Sequence, residues 1–379
     1  MGEAIPKSGG IDLRGLKKRL AIIAILCIVF RASYALGADS ALDTYIQAAF
    51  NEDGQVANTV ISQSPLLMAN RGTDEASEDQ DVQAAGKTQE TEAIDAQTET
   101  AEAGAESEVS QETTESENTD SNIKERTITT GSGDGYINAD GIYVKNSTTY
   151  DINVEDSLNK EISVSLQAGD ESPQVLIIHT HGSESYAPDG SYEESDSYRT
   201  QDTEHNVMKV GDELAAALEE KGISVIHDKN FYDYPSYMGS YGRSLTATEK
   251  YLQQYPSIKV VIDLHRDALM EDDGTVYKTV AEINDETCSQ IMLVVGTDGT
   301  GLSHGNWSEN FSLALKLQVS MNEKYPSLAR PVNLREERFN QHLSSGALLV
   351  EVGTNGNTLQ ESITAVRYFA DCLEDVLMR

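Results

Sequence analysis

Four runs of consecutive apolar residues punctuate the C-terminal two thirds of the chain: Val175–Ile178, Val260–Ile262, Ile291–Val295 and Leu348–Val350. Such runs, rich in β-branched residues and without polar alternation, predict strands covered on both faces. The segments between them carry a helical period. In 206–221, Val207, Val210, Leu214, Ala217 and Leu218 share one face, and Lys221-Gly222 closes the helix. Ile223–Ile226 reads as a further strand. Helices are expected over Arg243–Tyr255, ended by Pro256, and over Ser308–Lys324. A last helix opens with Thr358-Leu359-Gln360-Glu361, a capping box, and continues through Ile363, Val366, Phe369 or Ala370, Leu373 and Val376. Strands alternating with helices predict an α/β fold: a single domain over 140–379, with a largely parallel central sheet flanked by helices. That length is enough for a real core.

The N-terminal part follows different rules. Lys7, Arg14, Lys17, Lys18 and Arg19 precede an apolar run from Leu20 to Phe30, which Arg31 interrupts. Basic residues ahead of an apolar core are the pattern of an export signal or a membrane anchor, here assigned to 1–38. Ala35-Leu36-Gly37 resembles a small-x-small cleavage site, and a snorkelling Arg31 would let the run extend into a span, so both outcomes stay open. Residues 39–70 are of mixed composition and predict nothing definite. Residues 71–130 are expected to be a disordered acidic linker. Within them, 71–125 hold 17 acids against three bases and almost no large apolar side chains. Such a segment buries too little surface to offset chain entropy, and its like charges extend it.

Charge narrows the partners. With 63 acidic and 28 basic residues the chain carries a formal charge of −35, which argues against nucleic acid and against docking on anionic lipid through a basic face. The membrane enters only through the N-terminal segment. Three widely spaced cysteines, Cys27, Cys288 and Cys372, give neither a disulfide framework nor a cysteine zinc ribbon. All seven histidines fall between His179 and His342.

The chemistry collects at three strand ends. Val175–Ile178 runs into His179-Thr180-His181-Gly182-Ser183-Glu184, Val260–Ile262 into Asp263-Leu264-His265-Arg266-Asp267, and Leu348–Val350 into Glu351-Val352-Gly353. Open α/β sheets bind ligands at the carboxyl ends of their strands. One such cluster would pass for a satisfied buried histidine or a helix cap. Three together would bury several charges at a cost of several kcal/mol each, which points to a site. No nucleophile-elbow serine or cysteine is present. Histidines with carboxylates and no thiolates suit zinc with an open position, where a nearby carboxylate takes the proton of the attacking water. His179 and His181 are two apart and share a face on an extended chain, so both are candidate ligands, or one binds while the other orients it.

At these clusters the chain resembles the stage II sporulation protein P family, exported cell-wall hydrolases related to zinc N-acetylmuramoyl-L-alanine amidases. The resemblance is carried by 179–185, 262–267 and 349–353, with further likeness in Asn206–Leu214, Asp233-Tyr234-Pro235-Ser236-Tyr237 and Arg338-Phe339-Asn340-Gln341. It covers about 140–379, and the N-terminal layout matches too. It implies a zinc amidase-like fold and cleavage of the amide joining N-acetylmuramic acid to L-alanine; the family is also associated with cutting peptide cross-links. Carried over, His181 and His265 are zinc ligands and Glu351 is the catalytic carboxylate. Glu184 is the favoured third ligand, with Asp202 in reserve. The implied partners are peptidoglycan and, in engulfment, a membrane-bound lytic transglycosylase and other engulfment proteins. The implied location is outside the cytoplasm, with the domain anchored to the cell membrane.

His179, Arg266, Arg338 and Asn340 are expected to contact substrate or to steady the ligands from behind. Arg266 with Asp267 reads first as a salt bridge bracing the His265 loop. Trp307 reads as core rather than as a sugar platform, and His205 and His227 as structural or exposed. Two other readings compete: an H-x-H metallohydrolase of another class, using both His179 and His181, and a peptidoglycan-binding scaffold with a degenerate site.

Overall fold

The computed structural model describes residues 122–188, 198–271 and 273–378. The export signal or anchor at 1–38, the stretch 39–70 and most of the acidic linker lie outside the described residues. Among the described residues no helix is long and apolar enough to cross a membrane. The chain forms a mixed α/β domain. In order the elements are β1 (Ile123–Arg126), β2 (Tyr136–Ala139), β3 (Ile142–Asn146), α1 (Val154–Asn159), β4 (Val175–Ile178), α2 (Val207–Glu220), β5 (Val225–His227), α3 (Ser240–Gln254) and β6 (Val260–Asp267). There follow β7 (Val276–Ile283), β8 (Glu286–Ser289), β9 (Ile291–Gly296), α4 (Trp307–Lys324), β10 (Val332–Arg335), β11 (Gly346–Thr354) and α5 (Leu359–Leu377).

Eight strands make one sheet in the order β2-β3-β10-β9-β11-β6-β4-β5. β11, β6, β4 and β5 run parallel to one another, as do β9, β10 and β3. The two blocks meet antiparallel at β9 and β11, and β2 is antiparallel to β3. The expected largely parallel sheet is therefore two parallel blocks with a reversal between them. β4 and β6 lie inside the sheet, and all four residues of β4 are buried, as their unbroken apolar runs require.

The period of two sorts these strands into two faces. Val175, Ile177, Val260, Ile262, Leu264 and Val350 pack in the main core with α2, α4 and α5. Leu176, Ile178, Val261 and Ala347 point the other way, against Ala247 and Leu252 of α3. Leu349, Val294 and Phe339 continue that second face with Tyr241 and Leu245. Helix ends follow local chemistry. Asn206 caps α2 by accepting the Met208 N–H, and the α5 capping box forms with both of its bonds. α3 begins at Ser240 rather than Arg243, because Gly239 (φ 87°) makes the left-handed turn that starts it.

A second sheet, β1-β7-β8, was not expected. β7 and β8 form a hairpin whose two central residues, Asn284 and Asp285, both have positive φ (55° and 64°), the conformation of a type I′ turn. β1 pairs parallel with β7, so 123–126 belong to the fold and not to the acidic linker, whose expected end at 130 comes too late. Ile128 is buried, with its N–H donating to Gln290 and its carbonyl accepting from the same side chain. The order of this segment comes from pairing across more than 150 residues.

Candidate metal centre

β4 stops at Ile178, and a turn over Thr180–Ser183 swings the chain across the end of the sheet. Asp263 on the neighbouring β6 holds that turn, accepting the Thr180 N–H at 2.8 Å and the Thr180 hydroxyl at 2.6 Å. Two residues on, His265 projects from the same face, and its Nε2 lies 3.0 Å from Asp263 Oδ1. Its Nδ1 faces Glu184 Oε2 at 3.5 Å. His181 mirrors it: Nε2 is 3.0 Å from the Ser240 hydroxyl at the start of α3, and Nδ1 is 3.6 Å from Glu184 Oε1. The rings lie 5.0 Å apart and nearly perpendicular. One ligand atom from each of His181, Glu184 and His265 lies within 4.8 Å of the others, and all three residues are buried.

This arrangement fits a metal by the chemistry of its donors. An imidazole that binds a cation through Nδ1 must carry its proton on Nε2 and give it to an acceptor. His181 Nε2 has the Ser240 hydroxyl, and the Asp263 carboxylate stands 3.0 Å from His265 Nε2, where its charge favours the proton. Charge agrees. Burial works against a protonated His265, yet the Asp263 and Glu184 carboxylates outweigh it and push its pKa well above the ordinary value. Burial likewise works against ionised Glu184, but the His181 and His265 imidazoles that face it and the Arg266 charge hold it well below the carboxylate range. The pocket is set to hold positive charge between carboxylates.

Glu351 pairs in register with His265 on the adjacent parallel strand, so the two side chains leave the same face of the sheet. The backbone then bulges. Gly353 (φ 71°) makes the turn, and a Cβ there would meet Ser289 and Ser362 at 2.9 Å. Asn357 pins the turn, accepting the N–H groups of Thr354 and Thr279.

The other expected site residues separate. His179 points to the opposite face: its Nδ1 donates to the Leu264 carbonyl at 2.8 Å and its Nε2 meets His227 Nε2 at 2.8 Å. α2 closes on this pair at Gly211, where a Cβ would meet both rings at under 3 Å. His179 and His181 therefore do not share a face, because the strand ends between them. Burial lowers the His179 pKa to about 3, with His227 adding to the effect. Asp202 sits at the surface with His205 and is not part of the His181–Glu184–His265 group. Arg266 gives its backbone N–H to Glu184 Oε2 at 3.1 Å and its guanidinium to the carbonyls of Ser185 and Tyr198. The expected Arg266–Asp267 salt bridge is replaced by Arg330–Asp267 at 2.6 Å. Arg338 donates to the Ser303 carbonyl, and Asn340 to Tyr241 and Ser244, so both brace loops beside α3. Trp307 packs with Tyr150 and against the main core.

Several groups around the centre were missed. Tyr237 stacks on His181 at 4.5 Å and Tyr241 meets it edge-on. Arg199 reaches Glu184, and Asp233 accepts the Ser183 N–H. Asp263 had a local signal, its place two residues before His265 on a strand, and Asp233 and Tyr237 lay in the family-like stretch 233–237 without an assigned role. Arg199 comes from a loop and Tyr241 from the first turn of α3, which folding alone brings near.

The family model for stage II sporulation protein P matches residues 55–374. The chain belongs to the stage II sporulation protein P family. Stage II sporulation protein P of Bacillus subtilis (strain 168) is 30% identical over 215 residues, which take in 53% of this chain and 50% of the relative. The chain thus spans about half the length of that curated member of the family. Among solved structures, the N-acetylmuramoyl-L-alanine amidase AmiC2 of Nostoc punctiforme is similar over 55% of this chain and 98% of its own, with 12% identity and a TM-score of 0.32. The Mycobacterium smegmatis N-acetylmuramyl-L-alanine amidase Ami1 is similar over 55% and 95%, with 12% identity and a TM-score of 0.33.

Proposed function

We propose that this member of the stage II sporulation protein P family is a zinc-dependent peptidoglycan hydrolase that cleaves the amide between N-acetylmuramic acid and L-alanine. The observation that carries the reading is the buried His181–Glu184–His265 group at a sheet edge, with Glu351 in register beside His265. His181 through Nδ1, Glu184 through a carboxylate oxygen and His265 through Nδ1 would hold the zinc. Bound there, zinc polarises a carbonyl and lowers the pKa of water. The Ser240 hydroxyl bonded to His181 Nε2 and the Asp263 charge beside His265 Nε2 favour the proton on each Nε2, which leaves Nδ1 as a donor of electrons. Glu351 takes a proton from the attacking water and returns it to the leaving nitrogen of L-alanine as the C–N bond breaks. Tyr237 and Tyr241 hold the His181 ring and exclude water from its faces.

Residues 1–38 then serve as export signal or anchor and place the domain outside the cytoplasm, and the acidic linker spaces it from the membrane. Removal of stem peptides would prepare glycan for a lytic transglycosylase, the class of partner this activity suits. The test is to incubate the full chain with insoluble peptidoglycan beside Glu351→Gln. Release of stem peptides bearing a new L-alanine N-terminus, by the wild type alone, supports the reading. Zinc-loaded wild type that leaves peptidoglycan intact would favour a binding protein instead.

A further inference from the structure

The Arg199 guanidinium lies where three segments converge on the candidate centre. Its own backbone is tied alongside the turn: Ser185 N–H donates to the Tyr198 carbonyl at 2.8 Å and Thr200 N–H to the Ser183 carbonyl at 2.7 Å. Nη1 then reaches Asp233 Oδ2 at 3.0 Å and the Ser183 hydroxyl at 3.3 Å, while Nη2 reaches Glu184 Oε1 at 3.5 Å. The guanidinium carbon stands 4.7 Å from the centre of the Tyr237 ring, which stacks on His181. Glu184 therefore has each oxygen addressed from outside the His pair, Oε1 by Arg199 and Oε2 by the Arg266 amide. A glutamate carboxylate rotates easily about its last torsion, so two fixed donors on opposite oxygens decide its plane.

We propose that Arg199 is a positioning residue for the metal centre. It fixes the carboxylate plane of Glu184 and, through Tyr237, the ring of His181, so that the donors are in place before the metal arrives. This rests on the metal-dependent reading above. A guanidinium near a cation also repels it, and the orienting effect is expected to outweigh that repulsion. Partners that orient metal ligands are worth roughly 10- to 100-fold in metal affinity.

The test is zinc affinity of the full chain, measured by competition with a chromophoric chelator, together with the visible spectrum of the cobalt-substituted protein. Arg199→Met is expected to bind zinc roughly 10- to 100-fold more weakly and to alter the cobalt spectrum. Arg199→Lys keeps the charge facing Asp233, which protects the fold, but lacks the planar fork, and is expected to fall between the two. Variants that bind zinc as tightly as wild type or more tightly, with an unchanged cobalt spectrum, would overturn the role of Arg199 alone. A wild-type chain that takes up no zinc would overturn the metal-dependent reading beneath it.

Discussion

Two histidine pairs lie back to back across the end of one sheet. His181 and His265 face α3, while His179 and His227 face α2. Three of the four are almost wholly buried and His227 is largely so, yet their electrostatics diverge. His265 is pushed above its ordinary pKa and His179 down to about 3. Burial opposes charge in both, so burial does not explain the difference. The neighbours do. His265 lies between Asp263 and Glu184, whereas His179 meets a backbone carbonyl and another imidazole. A histidine becomes a site for positive charge through the carboxylates aimed at it, and a His-x-His spacing does not by itself make two ligands.

The largest effect that sharpens this contrast is expected at Glu351. Glu351→Gln should lower the rate of peptidoglycan amide cleavage by roughly 10²- to 10⁴-fold, the range for a lost general base, while zinc content stays at that of wild type. Zinc lost together with activity would make Glu351 a ligand instead. Next is Asp263→Asn, which removes the charge behind His265 and keeps one oxygen to accept from the Thr180 turn. Zinc titration should show affinity lower by roughly 10- to 100-fold. The equivalent change on the other face, His179→Gln, should alter zinc affinity by less than about threefold, since its nitrogens serve Leu264 and His227.

A smaller effect tests the same rule away from the centre. His304 is 1% exposed, and burial lowers its pKa to about 4. The unfolded chain then binds this proton first, so stability is full above about pH 6.5 and falls as the pH descends toward the folded-state value. The loss is about 1.4 kcal/mol per pH unit within that window. Urea melts of His304→Asn should lack that part of the slope. A slope equal to the wild type's would mean that His304 is not held neutral.

Much of this was legible in the sequence, for definable reasons. Unbroken apolar runs mark interior strands, because only a strand covered on both faces needs them, and β4, β6, β9 and β11 follow. Polar clusters just after such runs located His181, Glu184 and His265, since strand ends fix where side chains emerge. Whether His179 joins them was not legible, because that depends on where β4 stops and on the turn that Asp263 holds. The β1-β7-β8 sheet was hidden because 123–126 read as polar linker and gain their order only from β7. Its one local signal was the Asn284-Asp285 turn. Asp233 and Tyr237 lay in a stretch that resembles the family but had no assigned role, and Arg199 gave no signal at all, since these roles arise from segments far apart in sequence.

The central claim is that one face of the sheet end binds metal and the other does not. Metal analysis of the purified full chain tests it most directly, with His181→Ala and His179→Ala measured beside wild type. We expect one zinc per wild-type chain, one in His179→Ala and none in His181→Ala. Zinc retained by His181→Ala, or lost from His179→Ala while that variant remains folded, would contradict the account.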